Sequence, residues 1–311
     1  MRALELKLVV VGRRTVAEGI VGFSLAHADG TCLPAYGPGS HIEVRVEGVG
    51  LRHYSLTGDD PARYDIAVAI DQNGRGGSRA IDRLWQMGRE IEVSAPRNNF
   101  PLGKAREALL IVGGIGITPI LSIRRALADA GCLTRTHYAA RSRRHLAFAD
   151  ELSTDAMGTV AFHVDSESRL DIPAIIAAAP QGADIYVCGP TGMLEAVETA
   201  LEARWDLTLF TERFSAAPPR SGEAFEVTLA SDGRRFRVDE SSTILGVLRA
   251  HGCNPDTSCE GGVCGTCRTA VIAGEILHQD YFLSDMEKAE GRSIVICVSR
   301  AKPGSNLILD L

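Results

Sequence analysis

Four cysteines near the carboxyl end of this 311-residue chain constrain its fold more than any other feature. Cys259, Cys264 and Cys267 form a C-x4-C-x2-C sequence, and Cys297 follows after 29 intervening residues. Thiolates at this spacing hold plant-type [2Fe–2S] clusters. Glycines inside the loop give its backbone the freedom to wrap a small cluster and to direct N–H groups at the sulfurs. These glycines are Gly261, Gly262 and Gly265.

A structural zinc site with four cysteine ligands is the alternative interpretation of this loop. Such sites usually combine two C-x2-C pairs, and the spacing here differs from that pattern. Clustered cysteines in a reducing compartment indicate a metal site more readily than disulfides. We expect that compartment to be the cytoplasm, because the amino terminus lacks the apolar core of a signal peptide. No run of about 18 apolar residues is present, so no membrane segment is expected.

The charge balance argues against a general nucleic-acid-binding function. The chain has 33 Lys and Arg against 39 Asp and Glu, a net charge of −6, whereas nucleic-acid affinity depends on neutralising phosphates. Hydrophobic residues make up 45% of the chain, which predicts a folded protein rather than a disordered one. Residues 223–311 hold 13 acidic and 9 basic residues, so the acidity is concentrated around the cysteine loop.

A segment rich in proline, alanine and serine divides the chain. Residues 215–222 read SAAPPRSG, which lacks apolar periodicity, and the Pro-Pro pair favours an extended spacer. We therefore predict a linker at 215–222 and a separate domain at 223–311. The pattern also changes from short strands to strand–helix alternation, which divides the first part into domains at 1–103 and 104–214.

Residues 1–103 are predicted to form an antiparallel β-barrel. Ile42, Val44 and Val46 alternate with charged residues, and Ile66, Val68 and Ile70 recur at every second position, as in strands with one buried face. Glycine and proline clusters at 36–39 and 74–77 punctuate these strands. An antiparallel barrel accounts for short strands separated by such turns.

Residues 104–214 are predicted to form an open α/β sheet, which binds ligands at the carboxyl ends of its strands. Residues 108–112 are continuously apolar, as in a strand buried on both faces. A helix is predicted from a cap at Thr118, with Pro119 in its first turn, to Gly131. Further strands are predicted at 136–140, 160–164, 184–188 and 207–211, together with a helix at 171–179 that Asp171 caps and a helix at 193–203. In the last domain, strands at 225–229 and 235–238 and a helix at 243–251 precede the cysteine loop.

A glycine turn follows the first strand of the α/β region. Its sequence, G-G-I-G-I-T-P at 113–119, lets the backbone approach a pyrophosphate beside a helix N-terminus. It is not the G-x-G-x-x-G fingerprint, so alone it is equally compatible with a tight connection. Two companions favour a nucleotide site. The sequence C-G-P at 188–190 ends a later strand, and Arg141, Ser142 and Arg143 follow the second strand, where an adenosine ribose or phosphate would lie.

Two short motifs in the barrel indicate a flavin phosphate site. The sequence R-H-Y-S at 52–55 offers a guanidinium to a phosphate and a flat ring to a flavin. The sequence G-G-S at 76–78, at a predicted helix start, supplies amides and a hydroxyl that bind anions. Arg52 and Ser78 both suit a terminal phosphate, and residues 1–100 contain no further motif for an adenosine, so FMN is predicted rather than FAD. The alternative is an ordinary strand with an exposed arginine and a half-buried tyrosine.

Taken in this order, the motifs resemble those of the phthalate dioxygenase reductase family over essentially the whole chain. The resemblance implies a flavin-binding barrel, an α/β nucleotide-binding domain and a C-terminal α+β domain of the β-grasp ferredoxin type. Its cofactors would be FMN, NADH and a [2Fe–2S] cluster on Cys259, Cys264, Cys267 and Cys297. The residues implied for FMN are Arg52, His53, Tyr54, Ser55, Ala67, Val68, Gly76, Gly77 and Ser78. Those implied for NADH are Gly113, Gly114, Gly116, Thr118, Pro119, Arg141, Ser142, Cys188, Gly189 and Pro190.

The same resemblance implies the residues next to the reacting ring. The sequence E-R-F at 212–214 matches the end of the family's nucleotide domain, which places Phe214 over the isoalloxazine and Glu212 and Ser55 beside it as candidate catalytic residues. One segment departs from the family. Relatives often carry basic residues after the Ala-Val at 67–68, whereas this chain has Ala69 and Ile70, so no side-chain contacts with flavin are expected there.

The resemblance implies electron transfer from NADH through FMN and the cluster to a terminal oxygenase. A Rieske oxygenase is the preferred candidate. We expect a monomer whose acidic ferredoxin domain docks transiently on a basic patch of its partner. Glu260 is expected to be either a docking carboxylate or a solvated loop residue. Arginines at 141, 143 and 144 argue for NADPH against the family's NADH.

Other classes of function stay open at this point. The partner could instead be a P450 or a separate ferredoxin. The chain could also be a flavoenzyme that acts directly on a small acceptor such as nitric oxide or a quinone, or a redox carrier with a degenerate flavin half. The eight histidines, His41 and His53 among them, are scattered and form no ligand cluster in the sequence, so each is expected to be structural or on the surface.

Overall fold

The computed structural model describes residues 4–74, 76–154, 156–214 and 222–311. All but Gly222 of the predicted linker therefore lies outside the described residues. Contacts within the chain divide it into two compact units, with the division between Arg213 and Phe214. Among the helices of these described ranges, none combines the length and the apolar character needed to cross a membrane.

The first unit begins with an antiparallel sheet, as the alternating pattern predicts. Its order is β4-β3-β6-β1-β2-β5, with β7 beside β3, and the two ends of this order, β4 and β5, contact each other. The elements are β1 (Leu6–Ala17), β2 (Ile20–Ala26), β3 (Ser40–Val46), β4 (Gly50–Ser55), β5 (Arg63–Ala69), α1 (Gly77–Leu84), β6 (Glu90–Val93) and β7 (Arg97–Asn98).

One residue of β3 contradicts the predicted alternation. Ile42, Val44 and Val46 are buried as expected, but Glu43, predicted on the exposed face, is only 2% exposed. Its carboxylate lies 3.2 Å from Nη1 of Arg97 and 3.3 Å from Nε2 of His53. A buried carboxylate requires such partners, so cross-strand neighbours rather than strand period decide its position.

The second half of this unit is the predicted parallel sheet, with strand order β10-β9-β8-β11-β12. Its first strand is buried from Ala108 to Gly113, as its continuous apolar run predicts. Ile117, Ile120 and Ile123 of α2 share a hydrophobic core with Ile20 and Ala67 of the barrel, so the two halves pack as one body. The elements are β8 (Glu107–Gly113), α2 (Ile117–Asp129), β9 (Leu133–Ala140), α3 (Ala149–Thr154), β10 (Thr159–Val164), α4 (Ile172–Ala177), β11 (Asp184–Cys188), α5 (Thr191–Leu201) and β12 (Thr208–Glu212).

The two predicted helix caps in this sheet have different outcomes. Asp171 caps α4, with its carboxylate accepting from the backbone N–H of Ala174 at 3.1 Å. The cap at Thr118 is wrong, because α2 continues directly from a 3-10 turn at Gly114–Gly116. The Thr118 hydroxyl instead donates to the carbonyl of Ile115 at 3.0 Å.

The second unit contains a mixed sheet of order β14-β13-β19-β15-β17, in which β13 and β19 run parallel, and a two-stranded pair of β16 and β18. Helix α6 begins at the N-cap Thr243, whose hydroxyl accepts from the N–H of Gly246, and it buries Ile244, Leu245 and Leu248. Five strands with one packed helix form the predicted α+β ferredoxin architecture. The elements are β13 (Phe225–Leu229), β14 (Arg235–Val238), α6 (Ile244–Ala250), β15 (Arg268–Ala273), β16 (Ile276–Leu277), α7 (Asp285–Glu290), β17 (Ser293–Val295), β18 (Arg300–Ala301) and β19 (Leu307–Asp310).

Candidate functional site

The four predicted metal ligands divide into two pairs in the second unit. The Cys259 and Cys264 thiols hydrogen-bond to each other, and the Cys267 and Cys297 thiols form a second such pair. Among the described residues, no three His, Cys, Asp or Glu side chains are grouped as ligands of one ion. Two pairs suit two irons with two thiolates each. The residues present therefore fit the predicted cluster.

The cysteine loop also supplies the expected backbone donors. The N–H of Gly261 lies 3.3 Å from Sγ of Cys259, and the N–H of Gly262 reaches Cys297. The Cys259 and Cys264 thiols share one proton: hydrogen bonds from Cys259 and from Thr266 lower the pKa of Cys264, and the same Cys259–Cys264 contact raises the pKa of Cys259. Gly265 has φ of +68°, and a Cβ there would collide with the Phe282 ring, so glycine is required at this turn.

Glu260 is paired within its own unit rather than solvated. Its carboxylate lies 2.7 Å from Nη1 of Arg249 on α6, and its side chain is 17% exposed. Its backbone adopts φ of +50°, which turns the loop between the first cysteine and the glycines. The prediction of a solvated loop carboxylate is therefore wrong, whereas a docking role for Glu260 stays a prediction.

The two glycine-containing turns of the nucleotide half meet at the carboxyl ends of β8 and β11. A Cβ on Gly116 would collide with the carbonyl of Cys188, so only glycine permits this approach. A Cβ on Gly113 would lie 2.5 Å from Cδ of Pro190, and the N–H of Gly113 is close to Gly189. Tyr138 holds the turn by donating to the carbonyl of Gly114 at 3.0 Å. The structure thus brings the two predicted nucleotide motifs into direct contact.

A cleft of about 800 Å³ opens at this point between the barrel and the parallel sheet. The glycine turn and Pro190 form one wall, and the end of β5 with residues 69–73 forms another. Arg141 and Asp165, at the ends of β9 and β10, line it further out. Strand ends beside β8, where strand order reverses, are where open α/β sheets bind ligands.

The two predicted flavin motifs also lie side by side. A Cβ on Gly77, the first residue of α1, would come within 2.8 Å of Nε of Arg52, so the guanidinium lies against the helix start. The Ser78 hydroxyl accepts from the backbone N–H of Asp71 at 3.0 Å, which joins the helix start to the wall of the cleft. A guanidinium next to a helix N-terminus is suited to a phosphate.

The remaining barrel residues predicted for the flavin are mostly buried. Ser55 is 4% exposed at the end of β4, and Ala67 and Val68 are 3% and 0% exposed in β5. Burial raises the pKa of Tyr54, so its ring is a neutral phenol. His53 turns towards Glu43 rather than presenting a free ring to the cleft. The backbone of β4 and β5 is therefore the principal surface that these strands offer to a ring.

The basic residues after β9 differ from one another. Arg141 lines the cleft, whereas Arg143 forms a two-point ion pair with Glu167, at 2.8 Å and 2.5 Å. Arg144 is mostly exposed and approaches Glu18 at 4.0 Å. The Ser142 hydroxyl is 2.7 Å from Nδ1 of His145. Of these three arginines, Arg141 is the one that lines the cleft.

Two ionisable residues that sequence analysis treated separately approach each other at this site. Glu212, at the end of β12, lies with its Oε1 4.0 Å from Nδ1 of His41 on β3. Burial raises the pKa of Glu212 to about 8 and, together with neighbouring His53, lowers that of His41 to about 4. Burial also raises the pKa of the Cys188 thiol, whose residue pairs with Glu212 across β11 and β12. Sequence gave no signal for His41, because its partner is 171 positions away.

Phe214 is the first residue of the second unit and is 42% exposed. Its placement over the isoalloxazine stays a prediction.

Comparison with known proteins gives matches along the whole chain. Residues 110–199 match the model of an oxidoreductase NAD-binding domain, and residues 227–302 match that of a 2Fe-2S iron-sulfur cluster binding domain. A vanillate O-demethylase oxidoreductase from a Pseudomonas species is 39% identical over 98% of this chain and 100% of its own length.

Two solved structures show that the similarity extends to the fold. An intact type IV self-sufficient cytochrome P450 monooxygenase matches with a TM-score of 0.77 and 36% identity, over 98% of this chain and 41% of its own. Phthalate dioxygenase reductase, described as a modular structure for electron transfer from pyridine nucleotides to [2Fe-2S], matches with a TM-score of 0.76 and 36% identity over 98% of both chains. The two nucleotide turns are in contact, the four cysteines form two pairs, and the match covers nearly the whole chain. The chain therefore belongs to the phthalate dioxygenase reductase family.

Proposed function

We propose that this protein is the NADH-dependent reductase component of an oxygenase system, and that it passes electrons from NADH through FMN and a [2Fe–2S] cluster to a terminal oxygenase. The observation that carries the proposal is the contact between the turns at 113–116 and 188–190. A cleft lies at this contact, next to the helix start that Arg52 faces. When bound, the flavin supplies the conversion between a two-electron hydride donor and a one-electron acceptor.

In this proposal the first unit holds both nucleotides. Arg52, with Gly76, Gly77 and Ser78 at the start of α1, binds the FMN phosphate. The strand segments 53–55 and 67–68 support the isoalloxazine. Gly114, Thr118, Cys188 and Pro190 surround the nicotinamide. Arg141 and Ser142 lie on the adenosine side.

In this proposal Ser55, Cys188 and Glu212 keep charge and water away from the reacting ring and do not supply a strong acid. Cys188 is fully buried, and its thiol is neutral at physiological pH. The carboxyl of Glu212 is protonated at pH 7, because burial raises its pKa to about 8. Ser55 offers a hydroxyl at 4% exposure. We therefore assign Ser55 and Glu212 as uncharged polar neighbours of the flavin.

The domain assignment that accompanies this function has boundaries at 1–103, 104–214 and 223–311, with a linker at 215–222. The two family-model matches, at 110–199 and 227–302, fall inside the second and third of these ranges. We place the protein in the cytoplasm, since its cysteines are unbridged, which suits a reducing compartment.

We infer that the partner is a Rieske-type oxygenase that docks transiently on a monomeric reductase. Residues 223–311 carry an excess of acidic side chains, which favours a basic surface around the partner's acceptor. Plant-type clusters near −400 mV can reduce Rieske centres at roughly −150 to +300 mV. A P450 acceptor is the second candidate, because the matched self-sufficient P450 contains this whole module within one chain.

Cofactor analysis of the purified holoprotein tests the proposal. We expect about two irons, about two acid-labile sulfides and one flavin per chain. We also expect NADH to reduce cytochrome c repeatedly, which a carrier with a degenerate flavin half cannot do. Zinc without sulfide would overturn the cluster assignment. Multiple turnovers of a small acceptor without any partner protein would favour a directly acting flavoenzyme.

A further inference from the structure

Two buried ionisable side chains meet where the barrel contacts the parallel sheet. Oε1 of Glu212 and Nδ1 of His41 are 4.0 Å apart, and the two side chains are 12% and 7% exposed. Within the described part of the chain, Nδ1 of His41 and Oε2 of Glu212 are both buried polar atoms without a hydrogen-bond partner. Unsatisfied buried donors and acceptors are costly, so each of these groups needs a partner that the other can supply.

The location of this pair connects the two nucleotide sites of the proposed function. His41 is the cross-strand neighbour of Ser55 at the end of β4. Glu212 is the cross-strand neighbour of Cys188 at the end of β11. The His41–Glu212 pair therefore lies between the end of β4, which is proposed to contact the flavin, and the end of β11, which is proposed to contact the nicotinamide.

In the described ranges of the chain, the charged groups around the pair are directed to partners other than Glu212. The His41 ring stacks on His53 at a centroid distance of 5.2 Å, and His53 is directed to Glu43. Arg97 is also directed to Glu43, at 3.2 Å. On the other side of Glu212 lies the neutral Cys188 thiol. Arg213, the next residue along the chain, pairs with Glu198.

We propose that His41 is the positioning residue for Glu212: its Nδ1 accepts a hydrogen bond from the Glu212 carboxylic acid and thereby holds that carboxyl uncharged between the strand ends of Ser55 and Cys188. The directions of both pKa shifts support the neutral form, since they leave a protonated acid facing an unprotonated imidazole at pH 7. A separation of 4.0 Å requires only a small approach for the bond to form, and bonds at reactive sites often tighten when ligands bind.

The functional consequence rests on the proposed function. An ionised Glu212 would add a buried negative charge to a pocket that receives a negatively charged dinucleotide and the electrons it delivers. Such a charge disfavours dinucleotide binding and the gain of negative charge by the reduced flavin in a low-dielectric site, and we expect these effects to exceed its attraction for the nicotinamide cation that hydride transfer leaves. If the acid form is required and its pKa is about 8, hydride transfer falls about tenfold between pH 7 and pH 9.

Nitrogen-15 NMR of histidine-labelled holoprotein tests the pair itself, without reference to turnover. We expect the His41 signals, identified by their loss in H41N, to show at pH 7 a ring protonated at Nε2 with Nδ1 as an acceptor. E212Q should preserve this tautomer, because the amide still donates, and E212L should abolish the preference. An imidazolium at pH 7, a ring protonated at Nδ1, or a tautomer unchanged in E212L overturns the proposal, even where NADH reduces the flavin normally.

The pH dependence of flavin reduction by NADH in single-turnover experiments tests the consequence. The wild-type rate should fall with one alkaline midpoint, and E212Q should show no such fall. H41A should lower the midpoint by about one pH unit, because the acid loses its acceptor and water reaches the carboxylate. H41N places an amide oxygen near the former Nδ1 and should retain the wild-type midpoint. Equal midpoints in H41A and wild type contradict a positioning role, whereas a flavin that NADH does not reduce at any pH contradicts the proposed function instead.

Discussion

Replacement of Arg52 by alanine gives the sharpest test of the proposed flavin site. Arg52 lies on β4 with its guanidinium against Gly77, at the first turn of α1. The guanidinium and the helix N-terminus therefore face the same volume, where a phosphate would be held by a charge-assisted contact and by backbone amides. The alanine variant removes the first of these and leaves the second.

The expected loss follows from the strength of one charge-assisted hydrogen bond, about 1.5–3 kcal/mol. That range corresponds to a roughly 10-fold to 150-fold rise in the FMN dissociation constant at 25 °C. Titration of flavin-free protein with FMN, followed by flavin fluorescence, measures this constant directly. Arg52→Lys should fall between wild type and alanine, because it keeps the charge but loses the planar fork.

Arg45→Ala is the matched control for this experiment. Arg45 lies on the neighbouring strand β3, and its exposed side chain forms a 2.6 Å ion pair with Glu92. Surface pairs of this kind contribute about 0–1 kcal/mol, so the control should change FMN affinity by less than about fivefold. Equal FMN affinities for the Arg52 and Arg45 variants would show that Arg52 does not contact the phosphate.

Four further outcomes are expected. Cys264→Ser should abolish cytochrome c reduction but spare reduction of the flavin by NADH, as stopped-flow absorbance would show; loss of both would place the defect in folding. Flavin released by heat should chromatograph as FMN, because Arg52 and Ser78 suit a terminal phosphate, and FAD as the main species would contradict this. NADH should exceed NADPH in kcat/KM, because Arg143 is already paired with Glu167; equal or better use of NADPH would show that the remaining Arg141 accepts a 2′-phosphate. Electron transfer to the partner should slow as salt rises, because the Debye length shrinks to about 8 Å near 0.15 M, and a rate indifferent to salt would remove electrostatic docking.

Local pattern predicted most of the secondary structure correctly. The strand at 108–112 and the helix capped by Asp171 follow from residues adjacent in sequence, and the structure contains both. Thr118 shows the limit of such reasoning. A threonine before an apolar stripe is typical of a cap, but here the preceding glycines form a 3-10 turn that begins the helix earlier. Helix ends depend on the incoming chain as well as on the capping residue.

The metal ligands were predictable for a different reason. Their spacing is itself a geometric constraint, because cysteines with four and two residues between them can reach only a small group of atoms. Glu260 was not predictable, since its partner Arg249 comes from a helix that precedes the loop. A sequence shows the charge of a loop residue, but only the fold shows whether that charge is already neutralised.

Glu43 and Glu212 show why the interior of the candidate site lay beyond sequence analysis. Both carboxyls are largely buried, at 2% and 12% side-chain exposure, and both face a histidine. Strand pairing gives Glu43 the permanently charged Arg97 at 3.2 Å, so an ion pair compensates its burial. The parallel sheet gives Glu212 only His41 and a neutral thiol, so a proton must compensate instead. The same residue type is thus an ion-pair partner on β3 and a titrating acid on β12, and only the second lies at a strand end beside the proposed nicotinamide site. That difference depends on which strands are neighbours, which neither composition nor periodicity specifies.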